Sequence, residues 1–187
     1  MYLQSSFAIE CESIWNNEIN INREADALYE EIKKLSLYQG TPVIATPKAL
    51  KTALQGPSPS RSIHQMNSIK INGWTIIYSH DCDKAQLIDL QKKNNDIVKN
   101  YSKKNSKKFK MDFYGLGIRD VLISFSYMCG FSFNAIIEKE NDIRIWLSSE
   151  IGKSNCNDLT ALLSANGLWL EVANKKLVVN WPNKNFN

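Results

Sequence analysis

The chain has 187 residues, 43% hydrophobic and 10% aromatic, which suits one domain of ordinary size or two small ones, and its formal net charge is +4. No apolar run approaches the ~18 residues that a membrane span needs. The start, Met1-Tyr2-Leu3-Gln4, lacks the basic residues and apolar stretch of a signal peptide, so the chain is expected either to be cytoplasmic or to begin after a removed signal.

Residues 1–21 are polar and Asn-rich and read as a flexible N-terminus. Residues 22–101 read as a mostly helical, mixed N-terminal region. Its first helix runs from Asn22 to about Gln39, with Ala25, Leu28, Ile32 and Leu35 on the apolar face and Gly40-Thr41-Pro42 as the stop. Thr46-Pro47 opens a short second helix. Threonine caps, and proline at the first helical position loses no hydrogen bond. Leu50, Ala53 and Leu54 lie inward, Gly56-Pro57 ends the helix, and Pro57-Ser58-Pro59-Ser60-Arg61 reads as a linker. Asn72-Gly73 is the strongest short hairpin signal, and it predicts strands around Ile69–Ile71 and Trp74–Tyr78.

A helix is predicted from Asp83 to about Asn100. From Lys84 to Lys110 nine lysines face two aspartates, a local net charge of +7, and the rest of the chain is net negative. Residues 102–108, with Lys103, Lys104, Lys107 and Lys108, read as an exposed Lys-rich linker and the best domain boundary.

Residues 109–182 read as an α+β unit in the order βαββαββ, followed by a tail at 183–187. Phe109, Met111 and Phe113 alternate with polar residues as a strand, and Gly115 and Gly117 turn the chain. Ile118, Val121, Leu122, Phe125, Met128 and Cys129 then follow the i, i+3, i+4, i+7 series of a half-buried helix, with Gly130 just beyond. Strands are predicted at Phe131–Ile137 and Ile143–Leu147. A helix carrying Leu159, Leu162 and Leu163 is closed by Asn166-Gly167. The last two strands run from Leu168 to Val172 and from Leu177 to Trp181, where Pro182 ends the ladder.

The sequence offers no convincing active site, cofactor motif or metal site. His80-Asp81-Cys82-Asp83 is the one dense cluster of ligand types, and His64 is its only obvious helper. Neighbours along a strand point to opposite faces, so the simpler reading is a turn with Asp81 or Asp83 capping the next helix. Cys82 beside His80 lacks the third group that orients a base. Gly115-Leu116-Gly117 lacks the third glycine of a phosphate-binding turn, since Asp120 stands there. The four cysteines, Cys11, Cys82, Cys129 and Cys156, have no CxxC spacing. Their even number allows two disulfides in an oxidising compartment, and Cys129 reads as core because it continues the helix stripe. Cys11 lacks the preceding small residue of a lipidation site. Trp146, Trp169 and Trp181 fall on or near strands and read as core or interface anchors.

Three segments together carry a family resemblance. They are Phe109–Phe113, then Ile118-Arg119-Asp120-Val121-Leu122 leading to Cys129-Gly130, and finally Leu159–Leu163 with Ala165-Asn166-Gly167-Leu168 and the hairpin to Val179. From Phe109 to Trp181 the chain resembles the N-zero domain of outer-membrane secretins, which is also the signalling domain of TonB-dependent receptors. A secretin continues into further ring domains and a barrel, whereas this chain ends six residues after Trp181. The expectation is therefore a free-standing copy, as in DotD-type lipoproteins of type IVB secretion and conjugation systems. The resemblance implies a non-enzymatic, ring-packing subunit without cofactor, located in the periplasm or at the outer membrane. Its partners would be other subunits of the complex, and it would meet the membrane only through them. Val179 and Trp181 on the last strand, with Trp169 and Trp146, are the expected contact residues. The alternative is a cytoplasmic nucleic-acid-binding protein using the Lys84–Lys110 segment.

Overall fold

The structure is a computed structural model that describes residues 23–101, 112–129, 133–134, 144–148, 158–174 and 176–180. Within these residues the chain is α+β. Helix α1 (Arg23–Gln39) leads to β1 (Val43–Ala45), α2 (Pro47–Gln55), α3 (Pro59–His64), the hairpin β2 (Asn67–Ile71) and β3 (Trp74–Tyr78), and then α4 (Asp81–Tyr101). Next come β4 (Asp112–Gly117), α5 (Ile118–Cys129), β5 (Phe133–Asn134), β6 (Arg144–Ser148), α6 (Leu159–Ala165), β7 (Trp169–Ala173) and β8 (Lys176–Asn180). None of the described helices is long and apolar enough to cross a membrane.

Local chemistry explains most of these boundaries. Thr46 caps α2 by accepting a hydrogen bond from the Ala49 amide at 3.1 Å, with Pro47 in the first turn. Asn72 and Gly73 both take positive φ, 51° and 80°, as the tight hairpin turn requires, and set Ile71 opposite Trp74. The expected linker after Pro57 is partly helical, because Pro59 fits the start of α3 just as Pro47 fits the start of α2. Gly56 lets α3 approach, since a Cβ there would sit 2.5 Å from Ser62 Oγ. From Asp112, where the described residues resume, β4 runs through both glycines to Gly117. Gly115, at φ 59°, forms a bulge between Tyr114 and Leu116, so the strand bends and continues where a turn was expected. Phe109, Met111 and residues 102–108 lie outside the described residues.

Five strands form one sheet in the order β2-β3-β1-β6-β4, and three form another in the order β5-β8-β7. β1 is parallel to β3 and antiparallel to β6, with Val43 opposite Ser148 and Ile44 opposite Leu147. The larger sheet thus joins strands from both sides of residues 102–108. Its two faces follow the alternation of side chains. Val43, Ala45 and Ile77 face a layer made by Leu28 and Ile32 of α1, Leu50 and Ala53 of α2 and Ile63 of α3. Ile44, Ile76 and Tyr78 face the opposite way, into a core shared with Leu87 and Val98 of α4, Leu122 and Phe125 of α5 and Leu162 of α6. The α5 stripe is buried as its spacing predicts, with Val121, Leu122 and Phe125 at 2% exposure or less.

The last strand is not an edge. β8 lies between β5 and β7, and Val179 is fully buried opposite Leu170. A proline after a strand limits its length but does not place it at the border of a sheet.

Candidate interaction surface

The His80–Asp83 cluster is a helix start. Asp83 is fully buried, and its Oδ2 accepts hydrogen bonds from the Ser79 amide (3.3 Å), the Ser79 hydroxyl (2.8 Å) and the His80 amide (3.2 Å). Its Oδ1 has no hydrogen-bond partner and faces Lys48 Nζ at 3.6 Å, an ion pair by distance that partly compensates the buried charge. His80 and Asp81 are exposed. Cys82 is disulfide-bonded, so it is no free thiol nucleophile. His64, the remaining candidate ligand, pairs across helices with Glu31 on α1 (Nε2 to Oε2, 2.6 Å). Lys34 reaches the other oxygen of Glu31, also at 2.6 Å, and the two neighbours hold this carboxyl below its ordinary range, Lys34 the more strongly. Among the described residues no group of three or more His, Cys, Asp or Glu could hold a metal ion.

A second polar cluster is internal. Every residue of α6 is buried, including Thr160 and Ser164, so their hydroxyls need partners inside the protein. α4 supplies them. Gln91 Nε2 donates to Thr160 Oγ1 at 2.9 Å, and Ser164 Oγ donates to Gln91 Oε1 at 2.9 Å. Thr160 Oγ1 lies 3.0 Å from Asn95 Oδ1, and Asn94 Nδ2 donates to Ser164 Oγ at 3.0 Å. This seam fastens α4 to the C-terminal elements. Its donors and acceptors are matched within the protein, so it is a structural joint and not a ligand site.

The surface that remains is apolar. Half of the large hydrophobic side chains exposed among the described residues lie on β4 and α5, namely Tyr114 (48%), Leu116 (36%), Ile123 (56%) and Tyr127 (88%). Ile123 and Tyr127 are one helical turn apart and point the same way, opposite the buried stripe of α5. Tyr114 stacks edge-on against Tyr29 of α1, with ring centroids 4.8 Å apart, and the Tyr29 hydroxyl donates to Asp112. A helix with water on its outer face normally carries charge there. Ile123 and Tyr127 in those positions are the signal that the sequence contained and that attention to the inner stripe passed over.

The expected contact residues are placed differently. Val179 is in the core. Trp169 is half-buried, with Lys93 Nζ 4.7 Å from the ring centroid and its Nε1 donating to Glu171 at 3.0 Å. Trp146 stands in β6, between β1 and β4. Trp181, Lys103, Lys104, Lys107 and Lys108 lie outside the described residues, as does the side chain of Cys129. No protein-family model matches this chain, and neither a curated protein nor a solved structure matches it.

Proposed function

We propose that this protein is a non-enzymatic subunit of a bacterial envelope-spanning assembly, of the secretion, conjugation or pilus kind, that packs against neighbouring subunits through its C-terminal elements. The observation that carries this reading is the pair of exposed apolar side chains Ile123 and Tyr127, one turn apart on the outer face of α5. Large apolar side chains left on an outer helix face suit a protein-binding surface. Two further features support it. The order of elements from β4 to β8 is strand, helix, strand, strand, helix, strand, strand, the order implied by the N-zero resemblance. The disulfide at Cys82 suits an oxidising compartment better than the cytosol, which weighs against the nucleic-acid alternative.

The test is incorporation. Detergent-extracted envelopes are sedimented through a gradient, and the wild-type protein is expected in a large particle. The double variant Ile123→Asp/Tyr127→Asp is expected in the free fraction, with its thermal melt unchanged. Continued sedimentation of the variant with the particle would remove this surface from the contact. A wild-type protein recovered as a free monomer on nucleic acid would sink the reading altogether.

A further inference from the structure

The most exposed large hydrophobic side chains among the described residues form two pairs. Tyr127 (88%) and Ile123 (56%) lie on α5, and Tyr38 (87%) and Leu37 (51%) lie at the end of α1. No other described side chain of this kind is more than half exposed. Leu37 and Tyr38 stand outside the stripe of Leu28, Ile32 and Ser36 that α1 buries. Alternation along β1 decides where the two pairs lie. Val43 and Ala45 turn towards α1 and Ile44 turns towards α5, so the two helices cover opposite faces of the larger sheet. The pairs therefore point away from each other, and no contact within one molecule brings them together.

The surroundings of the two pairs are complementary. α1 has no basic residue in its last turn, although that end of a helix carries partial negative charge. α5 carries exposed Arg119 one turn before Ile123. Lys34, one turn before Tyr38, is exposed and held by Glu31. Ser124 also lies on the outer face of α5, and its hydroxyl donates to the Asp120 carbonyl at 2.9 Å. That hydroxyl can be covered without losing its partner. Laid antiparallel across α1, α5 would set Ile123 on Leu37 and Tyr127 against Tyr38 and the Lys34 ammonium. Arg119 would then reach the carbonyl end of α1. Two copies of α1 packed on each other through this end would instead bring like partial charges together.

We propose that Leu37 and Tyr38 receive Ile123 and Tyr127 of a second copy of this chain, so that copies join head to tail. This pairing rests on the reading of the α5 outer face as a contact surface, and it supplies the other half of the contact. The contact is heterologous. Each copy uses its α5 pair on one neighbour and its α1 pair on the other, and the series ends only where it closes into a ring.

Complementation between variants tests the pairing. Purified full-length wild type, Leu37→Asp/Tyr38→Asp and Ile123→Asp/Tyr127→Asp are sedimented over a range of concentrations. The wild type is expected to grow beyond a dimer as concentration rises. Each double variant alone should stay monomeric, with an unchanged thermal melt. Mixed in equal amounts, the two variants keep one intact α5 pair and one intact α1 pair, and they should form a dimer that grows no further. Serine at both positions replaces any aspartate pair that lowers the melt. A mixture that stays monomeric, or a Leu37→Asp/Tyr38→Asp variant that associates like the wild type, would overturn the pairing. So would a wild type that is monomeric at every concentration. Entry into the envelope particle separates this failure from that of the wider reading. If Leu37→Asp/Tyr38→Asp still enters the particle while Ile123→Asp/Tyr127→Asp stays out, the α5 surface stands and α1 is not its counterpart.

Discussion

Asn94 Oδ1 accepts the Leu170 backbone amide at 2.8 Å while its Nδ2 donates to the Leu168 carbonyl at 3.1 Å. A neighbouring strand would bond those two groups, on either side of Trp169, in the same way. One side chain from α4 therefore closes the outer edge of β7, where a strand end would otherwise leave its polar groups open. Asn94 is fully buried, so the substitution Asn94→Ala removes both bonds without admitting water. The expected cost is about 2–4 kcal/mol, from two buried backbone groups left unpaired. Urea titration should show a lower midpoint at an unchanged slope. A shift under about 0.5 kcal/mol, the range of neutral surface changes, would mean that water replaces the side chain.

Leu122 lies at 2% exposure between the sheet and its neighbours on α5. Leu122→Ala should destabilise the protein by about 2–5 kcal/mol, the range for large-to-small changes in a core. Ile123→Ala, one residue along on the outer face, is the control and should change stability by less than about 0.5 kcal/mol. Equal effects from the two variants would show that the helix is turned differently.

Glu31 gives a prediction about pH. Its folded-state carboxyl is depressed by the bonds from Lys34 and His64. A depressed carboxyl contributes stability above its unfolded value, and that contribution is lost as pH falls through the folded value. The wild type should therefore melt higher than Glu31→Gln at neutral pH, and the gap should close in acid, below the ordinary glutamate range. Added salt should narrow the neutral gap as well, because Lys34 is exposed. A gap independent of pH would assign the effect of Glu31 to packing.

Strand β1 pairs with both β3 and β6, and the α4–α6 seam crosses between the same two parts of the chain. Co-expressed fragments 1–101 and 112–187 should therefore associate and co-purify under native conditions, and neither should show a cooperative melt alone. If the second fragment melted cooperatively by itself, residues 109–182 would have the self-sufficient core that their βαββαββ pattern suggested.

The features legible in the sequence were local. Asn72-Gly73 announced its hairpin because positive φ at both positions is a property of those two residues. The α5 stripe announced itself because a helix repeats its inner face every turn. β1 escaped notice because three residues, Val43-Ile44-Ala45, are too short to show a period, and only their partners on both sides make them a strand. Gln91, Asn94 and Asn95 carry no mark of burial in the sequence. Their buried partners, Thr160 and Ser164, stand far off in the sequence, and polarity alone does not distinguish water from a matched hydroxyl. The contact surface was sought at Val179 because Pro182 suggested an edge, and pairing order cannot be read from a terminator.

The sheet order has a consequence for how the chain is made. Val43 and Ile44 meet Ser148 and Leu147 only after on the order of a hundred further residues have been synthesised, several seconds or more at ribosomal speed. Until then one side of β1 has no strand beside it, and the apolar residues of α4 lack the C-terminal part of their core. The middle of the larger sheet is thus the part of the molecule closed last, since the strand that completes it is made long after the one it completes.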